Sequence, residues 1–400
     1  MKKKTYLIIL LTVWFECWDI MPYGHLSGVM KLVVSLIVMC QGFFMYYSPA
    51  KMCLLKSYLM KPFWWIMAGI ILSAIPAYLY FGQSYTQSFI TYRSQLLWLV
   101  IPLLLIVSPT EKDVVDAAKW TTVLMAGVYY LRLFMPTMFV IDLEQLGDRK
   151  MEDMYLEGIS IATIPIFYYL TLLCNRFRWN YLIIIIFCYA YIFIMQNRST
   201  LLPVTLLILV SLLRIRSQYR FVKVCTFLVL VAFVTIQMAD YWIKLFEETR
   251  AQLSDQDYNR VIAFHYFLFE ANHNWVTYIL GNGYLSSNVT TLVQDQMQRG
   301  IYNSDMGFIG FWNQYGIIPI IVFTWLMLIP LIRRTRYSWY LKLWALQMLM
   351  CSLTISYFAS NVHMIYFALY YYMFILYYVR YDRNRTCQLS HRVFDSPLRK

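Results

Sequence analysis

The polar break Gln196-Asn197-Arg198-Ser199-Thr200 separates two apolar runs by only five residues and carries an arginine at its tip. A guanidinium offers paired N–H donors in one plane, the geometry a diphosphate accepts, so Arg198 is a candidate diphosphate ligand. Snorkelling to lipid headgroups is the plainer alternative. Arg260 opens the aromatic-rich run Tyr258–Leu280 and is a second candidate for the same ligand. Arg93 and Arg132, at the ends of other apolar runs, are secondary candidates, again with snorkelling as the alternative. Asp305, in Asn303-Ser304-Asp305-Met306-Gly307, stands where an outer loop enters an apolar run; a carboxylate there is a candidate base, or an ordinary helix N-cap. The histidines, His25, His265, His273, His363 and His391, show no metal-ligand spacing. His265 and His273 are eight apart, about two helical turns, and would share a face. His265 is the second candidate base, against a packed or interfacial ring. No Ser-His-Asp set, phosphate loop or nucleotide fingerprint is present, and no cofactor or metal is expected.

The composition says what kind of element must hold these residues. The chain is 60% hydrophobic and 14% charged, against roughly 45–50% and about 25% in soluble domains. A bilayer crossing takes roughly 20 apolar residues, and on that measure the chain is expected to cross about twelve times. The spans fall near Tyr6–Met21, Val29–Tyr47, Pro62–Phe81, Leu96–Val107, Thr121–Val140, Ile159–Leu173, Tyr181–Met195, Leu201–Leu213, Phe221–Met238, Gly307–Ile332, Leu341–Phe358 and Met364–Val379. With the N-terminus inside, 24 of the 34 Lys and Arg fall on the inner side, with only Glu111, Asp113, Asp116, Asp382 and Asp395 among the 21 acidic residues. That is the positive-inside bias, and it puts both termini in the cytoplasm. The net charge of +13 therefore reports topology and no nucleic-acid partner, because the basic residues lie between apolar runs. All the cysteines except Cys17 fall in spans or on the inner side, so no disulfide framework is expected. Glu16 and Asp19 interrupt the end of the first apolar run and no small-x-small cleavage site follows, so it is taken as a span.

The expected fold is thus an all-α integral membrane protein. Residues 1–239 hold spans one to nine, 240–305 a large helical outer loop, 306–379 the last three spans and 380–400 a cytoplasmic tail. A second outer loop, Ile141–Gly158, is short and acidic. Long ordered loops between packed helices tend to be functional; the alternative is a loop that only joins two helices. Within the large loop Tyr258–Leu280 is expected to form one amphipathic helix on the outer membrane face, stopped at Gly281.

Three stretches carry a resemblance. Arg198-Ser199-Thr200-Leu201-Leu202 opens a span, Arg260 precedes the turn Leu280-Gly281-Asn282-Gly283, and Asp305-Met306-Gly307-Phe308-Ile309 runs on to Gly316-Ile317-Ile318. In their order and placement these resemble the O-antigen polymerase and O-antigen ligase superfamily of bacterial inner-membrane glycosyltransferases. The motif-bearing part is about a third of the chain; elsewhere the likeness is one of topology. Asp305 takes the place of the histidine typical of the ligases, which inclines the resemblance to the polymerase branch. The resemblance implies transfer of a glycan repeat unit from an undecaprenyl diphosphate carrier to another lipid-linked unit, with inversion at the anomeric carbon and no obligatory metal. Arg198 and Arg260 would bind the donor diphosphate, and Asp305 or His265 would take the proton of the acceptor hydroxyl. The implied partners are the lipid-linked donor and acceptor, the bilayer, a chain-length regulator and a repeat-unit flippase.

Two other functions stay open. An O-antigen ligase moving glycan to a lipid core would use the same kind of site. A transporter or lipid-linked glycan flippase would place its binding groups near the midplane on broken helices, often in two repeated halves. In this chain the charges sit at the outer rim, and no repeat is visible.

Overall fold

A chain immersed in lipid must satisfy its backbone polar groups internally, and helices do so within one segment. The computed structural model describes residues 2–14, 28–49, 51, 55–135, 159–195, 198–212, 225, 259–271, 274–286, 293–294, 296, 301, 303–333, 337–355, 357 and 361–394. For 28–31, 132–133, 198, 259–260, 304–305, 361 and 380–394 it describes the backbone alone. Among the described residues every regular element is helical. In chain order the helices are α1 (Lys3–Trp14), α2 (Gly28–Tyr46), α3 (Lys61–Leu72), α4 (Ala74–Phe81), α5 (Tyr85–Thr91), α6 (Val100–Val107), α7 (Glu111–Phe134) and α8 (Thr163–Asn175). They continue as α9 (Trp179–Ile194), α10 (Arg198–Leu212), α11 (Asn259–His265), α12 (Trp275–Leu280), α13 (Gly307–Tyr315), α14 (Ile317–Ile332), α15 (Trp339–Cys351) and α16 (Asn361–Phe394).

Three continuous helical stretches, Tyr58–Phe81, Tyr85–Val107 and Val362–Val379, are long and apolar enough to cross a bilayer, and Leu32–Tyr46, Ile159–Asn175, Trp179–Ile194, Ser199–Leu212 and Ile317–Ile332 are shorter apolar helices. The α3–α4 stretch is one whose burial pattern fits a bilayer. Phe63, Ile66 and Ile70 are buried in the bundle, yet Trp64, Trp65 and Ile71 on the opposite face are 58%, 58% and 63% exposed. A helix apolar all round needs protein on one side and lipid on the other.

Two groups of contacts define the two ends of the bundle. At one end Lys3 Nζ donates to Ser108 O at 2.7 Å, Lys51 Nζ to Ile106 O at 2.7 Å, and Tyr377 to Glu111 Oε1 at 2.7 Å. These are residues that positive-inside counting assigns to the inner side. The continuous Tyr85–Val107 stretch runs from this end, beside Ser108, to the other. At that far end Gln83, Tyr92 and Tyr284 come together, all assigned to the outer side.

Several expected boundaries move, each for a local reason. The span expected from Leu96 begins at Tyr85, because Ser84 and Gln87 form a capping box and a 3-10 segment, Tyr92–Leu99, carries the helix on into α6. Helix α7 starts at Glu111 and ends at Phe134, ahead of the expected Thr121–Val140, fixed by the Thr110–Asp113 capping box. The single span expected over Gly307–Ile332 is two helices, broken at Gly316. The tail expected from residue 380 continues α16 to Phe394, since no glycine or proline interrupts Asn361–Phe394. The expected span Phe221–Met238 apart from Cys225, the acidic loop Ile141–Gly158 and about half of the loop between Asp240 and Ile301 lie outside the described residues.

Candidate functional site

Arg198 is the first described residue of α10, and Gln196 and Asn197 before it lie outside the described residues. The Ser199 carbonyl of this helix accepts a hydrogen bond from Cys351 Sγ at 3.0 Å, at the end of α15. The next residue, Ser352, uses its own carbonyl to accept from the Phe308 N–H at 2.9 Å. Phe308 lies three positions after Asp305, so the backbone that carries Arg198 and the backbone that carries Asp305 are joined through two consecutive residues of one turn.

Asp305 itself lies in a 3-10 turn, Asn303–Met306, with Met306 at the N-cap position of α13 and no side-chain capping bond there. Asp305 is therefore one position short of the cap expected as its structural role. This turn packs on α11, the helix of Arg260, through a small apolar cluster of Ala263, Phe267, Ala271, Ile301 and Met306. Three segments distant in sequence thus bring the backbone positions of Arg198, Arg260 and Asp305 to one end of the bundle. The side chains of all three lie outside the described atoms.

The amphipathic helix expected over Tyr258–Leu280 is broken in two. Helix α11 passes into a π-helical turn, Tyr266–Glu270, closed by Ala271 N–H to Tyr266 O at 2.8 Å. α12 starts afresh from the Asn274–Thr277 capping box and stops, as expected, at Gly281. The π turn has a consequence for His265. Residues five apart face different ways on an α-helix, but across a π turn they meet. His265 Nδ1 lies 3.0 Å from Glu270 Oε1, with both side chains more than half exposed. A sequence scan that treats this run as a regular helix misses Glu270 as the partner. His273, expected to share a face with His265, lies outside the described residues.

The turn Leu280-Gly281-Asn282-Gly283 docks into the break between α13 and α14. Asn282 N–H donates to Asn313 O at 2.6 Å, and Gly283 N–H to Gln314 O at 2.9 Å. The fit requires glycine on both sides: a Cβ at Gly281 would lie 2.5 Å from Gln314 O, and one at Gly316 2.1 Å from Ile279 O, with φ of +81° and +79° at the two positions. Beyond the turn, Tyr284 is held between the Tyr92 hydroxyl, which accepts from its N–H at 3.1 Å, and the Gln83 and Thr91 side chains, which donate to its carbonyl at 3.1 Å. The loop just beyond α12 is thereby fastened to the Gln83–Tyr92 segment that precedes Arg93.

Arg93 is exposed on the Tyr92–Leu99 segment beside this docking point. Arg132 stands in the last turn of α7, with its side chain outside the described atoms. Neither is joined to the Arg198, Arg260 and Asp305 segments by a hydrogen bond among the described residues.

Beneath the site lies a chain of buried polar groups that hydropathy alone does not reveal. Gln347 Nε2 donates to Cys351 Sγ at 3.2 Å, Gln347 Oε1 accepts from the Tyr366 hydroxyl at 2.7 Å, and Tyr366 shares a hydrogen bond with Thr163. Polar groups inside an apolar bundle are retained where they hold a site or a path, since burying them unpaired is costly. Among the described residues no group of His, Cys, Asp and Glu could hold a metal ion.

The end described brings together two arginine-bearing segments, the turn of Asp305 and the His265–Glu270 pair. No family model matches this chain, and no curated protein matches it.

Proposed function

We propose that the protein is a membrane glycosyltransferase that polymerises undecaprenyl-diphosphate-linked oligosaccharide repeat units into a surface polysaccharide. It works at the outer face of a bacterial cytoplasmic membrane, spanning it about twelve times with both termini inside. One observation carries the reading: the segments of Arg198, Arg260 and Asp305, more than a hundred positions apart at the extremes, meet at a single end of the bundle through the Cys351–Ser352 turn and the α11 packing.

The chemistry asks little beyond that. A polyprenyl diphosphate is a good leaving group, and what speeds its departure is fixed positive charge where negative charge builds. Arg198 and Arg260 supply that charge. Asp305, or His265 oriented by Glu270, accepts the proton of the attacking hydroxyl. A single displacement inverts the anomeric centre. The donor and acceptor are both lipid-linked and enter from the bilayer; a repeat-unit flippase delivers them and a chain-length regulator acts on the product.

The test is the glycan profile of cells carrying variants of Arg198. Arg198→Ala should leave single repeat units at normal protein abundance, and Arg198→Lys should give shortened or sparse polymer, because lysine keeps the charge and loses the planar fork. Unaltered polymer from Arg198→Ala would remove Arg198 from the site. Normal chain length with loss of attachment to the lipid core would point to the ligase reaction instead.

A further inference from the structure

Helix α10 contains Pro203 in its interior. Proline has no N–H, so the carbonyl four residues earlier, that of Ser199, cannot receive the usual intrahelical bond from position 203, and the proline ring crowds that carbonyl off the helix axis. A donor from another helix can take that place. Cys351 provides one, Sγ to Ser199 O at 3.0 Å.

A thiol is a weak donor, but this one is itself held. Its sulfur accepts from Gln347 Nε2, whose amide oxygen accepts from Tyr366. Cys351, Gln347 and Tyr366 are all buried, and the Tyr357 ring stacks over Tyr366 at 6.1 Å.

The neighbouring residue makes the arrangement more than a repair. Ser352 accepts the Phe308 N–H with its carbonyl, so adjacent residues of one turn hold the start of α10 and the start of α13. An intact intrahelical bond would fix the first turn of α10 only to its own helix. The bond to Cys351 fixes it to α15, and through Ser352 to the turn of Asp305.

We infer that Cys351, held by Gln347, is a positioning residue that supplies the donor Pro203 lacks and sets the first turn of α10, with Arg198 on it, in register with Asp305. Its consequence for donor binding rests on the transferase reading above.

A double-mutant cycle separates positioning from mere satisfaction of a carbonyl. The full-length protein is reconstituted in lipid, and both its melting temperature and its KM and kcat for an undecaprenyl-diphosphate-linked repeat unit are measured. Cys351→Ala should lower the melting temperature and raise the donor KM about tenfold, since small misplacements of a binding group are costly. Cys351→Ser keeps a donor and should stay near the parent on both readouts. Pro203→Ala returns an N–H to the helix, so Pro203→Ala with Cys351→Ala should recover the melting temperature while the donor KM stays raised. Recovery of KM along with stability in the double variant overturns the inference, because Cys351 then only satisfies the carbonyl. An active parent whose KM is unmoved by Cys351→Ala overturns it as well and leaves the transferase reading standing. A parent that turns over no donor overturns the transferase reading, and the positioning of Arg198 for a donor with it.

Discussion

Asp305 and His265 are the two candidate bases, carried on adjoining turns, and their replacement is expected to read out differently. With Met306 and not Asp305 at the N-cap position of α13, Asp305→Asn and Asp305→Ala should have similar effects on stability. A loss of about 0.5–2 kcal/mol from Asp305→Ala alone, measured by thermal unfolding, would instead mark a cap. His265 and Glu270 form an exposed pair, worth less than about 1 kcal/mol in stability. Glu270→Gln should therefore fold normally, and a fall in transfer rate in that variant would assign the base to His265. The Arg198 setting was visible in the sequence as a five-residue polar break. Its tie to Cys351 was not, because a cysteine in an apolar run carries no mark of the distant carbonyl it serves.

The helices divide according to how local their determinants are. The capping boxes at Ser84–Gln87 and Thr110–Asp113 lie in plain view in the sequence, and hydropathy windows missed them only because they track apolar content and ignore caps. The break at Gly316 is of the other kind. Ile317–Ile332 is apolar enough to extend backward through Gly307, and what stops it is the backbone of Ile279–Leu280, brought there by a loop of unknown path from the sequence alone. Likewise no periodicity announces the π turn at Tyr266–Glu270, whose Phe267 packs in a cluster with Ile301 and Met306. The contrast gives a test. Gly316→Ala must fit a Cβ 2.1 Å from Ile279 O at a φ of +79°, and should destabilise the protein by about 2 kcal/mol or more and detach the large loop. Gly127, inside α7 with open space where a Cβ would go, should accept alanine with a gain of about 0.5–1 kcal/mol. Thermal unfolding in detergent, with proteolysis of the loop as a second readout, measures both. Equal behaviour of the two variants would mean that the Gly281–Gly316 docking does not hold the loop.

At the scale of the whole molecule, residues assigned by charge to the inner side cluster at one end and those assigned to the outer side at the other. A cysteine at Ser286, on the loop segment held by Gln83, should react with a membrane-impermeant thiol reagent in spheroplasts of a strain whose native cysteines are replaced. One at Ser338, before α15, should not. The reverse labelling would turn the molecule over and place the Arg198 end in the cytoplasm. On the function proposed above, this end performs chain extension on a lipid-linked diphosphate. That reading is tested most directly by reconstituting the protein in liposomes with a purified undecaprenyl-diphosphate-linked repeat unit and resolving the product by length. The parent should build a ladder of polymer, while Arg260→Ala and Asp305→Asn, at matched protein amount, should each leave single units on their carrier. Full-length polymer from both variants would contradict the account and return these segments to a structural role.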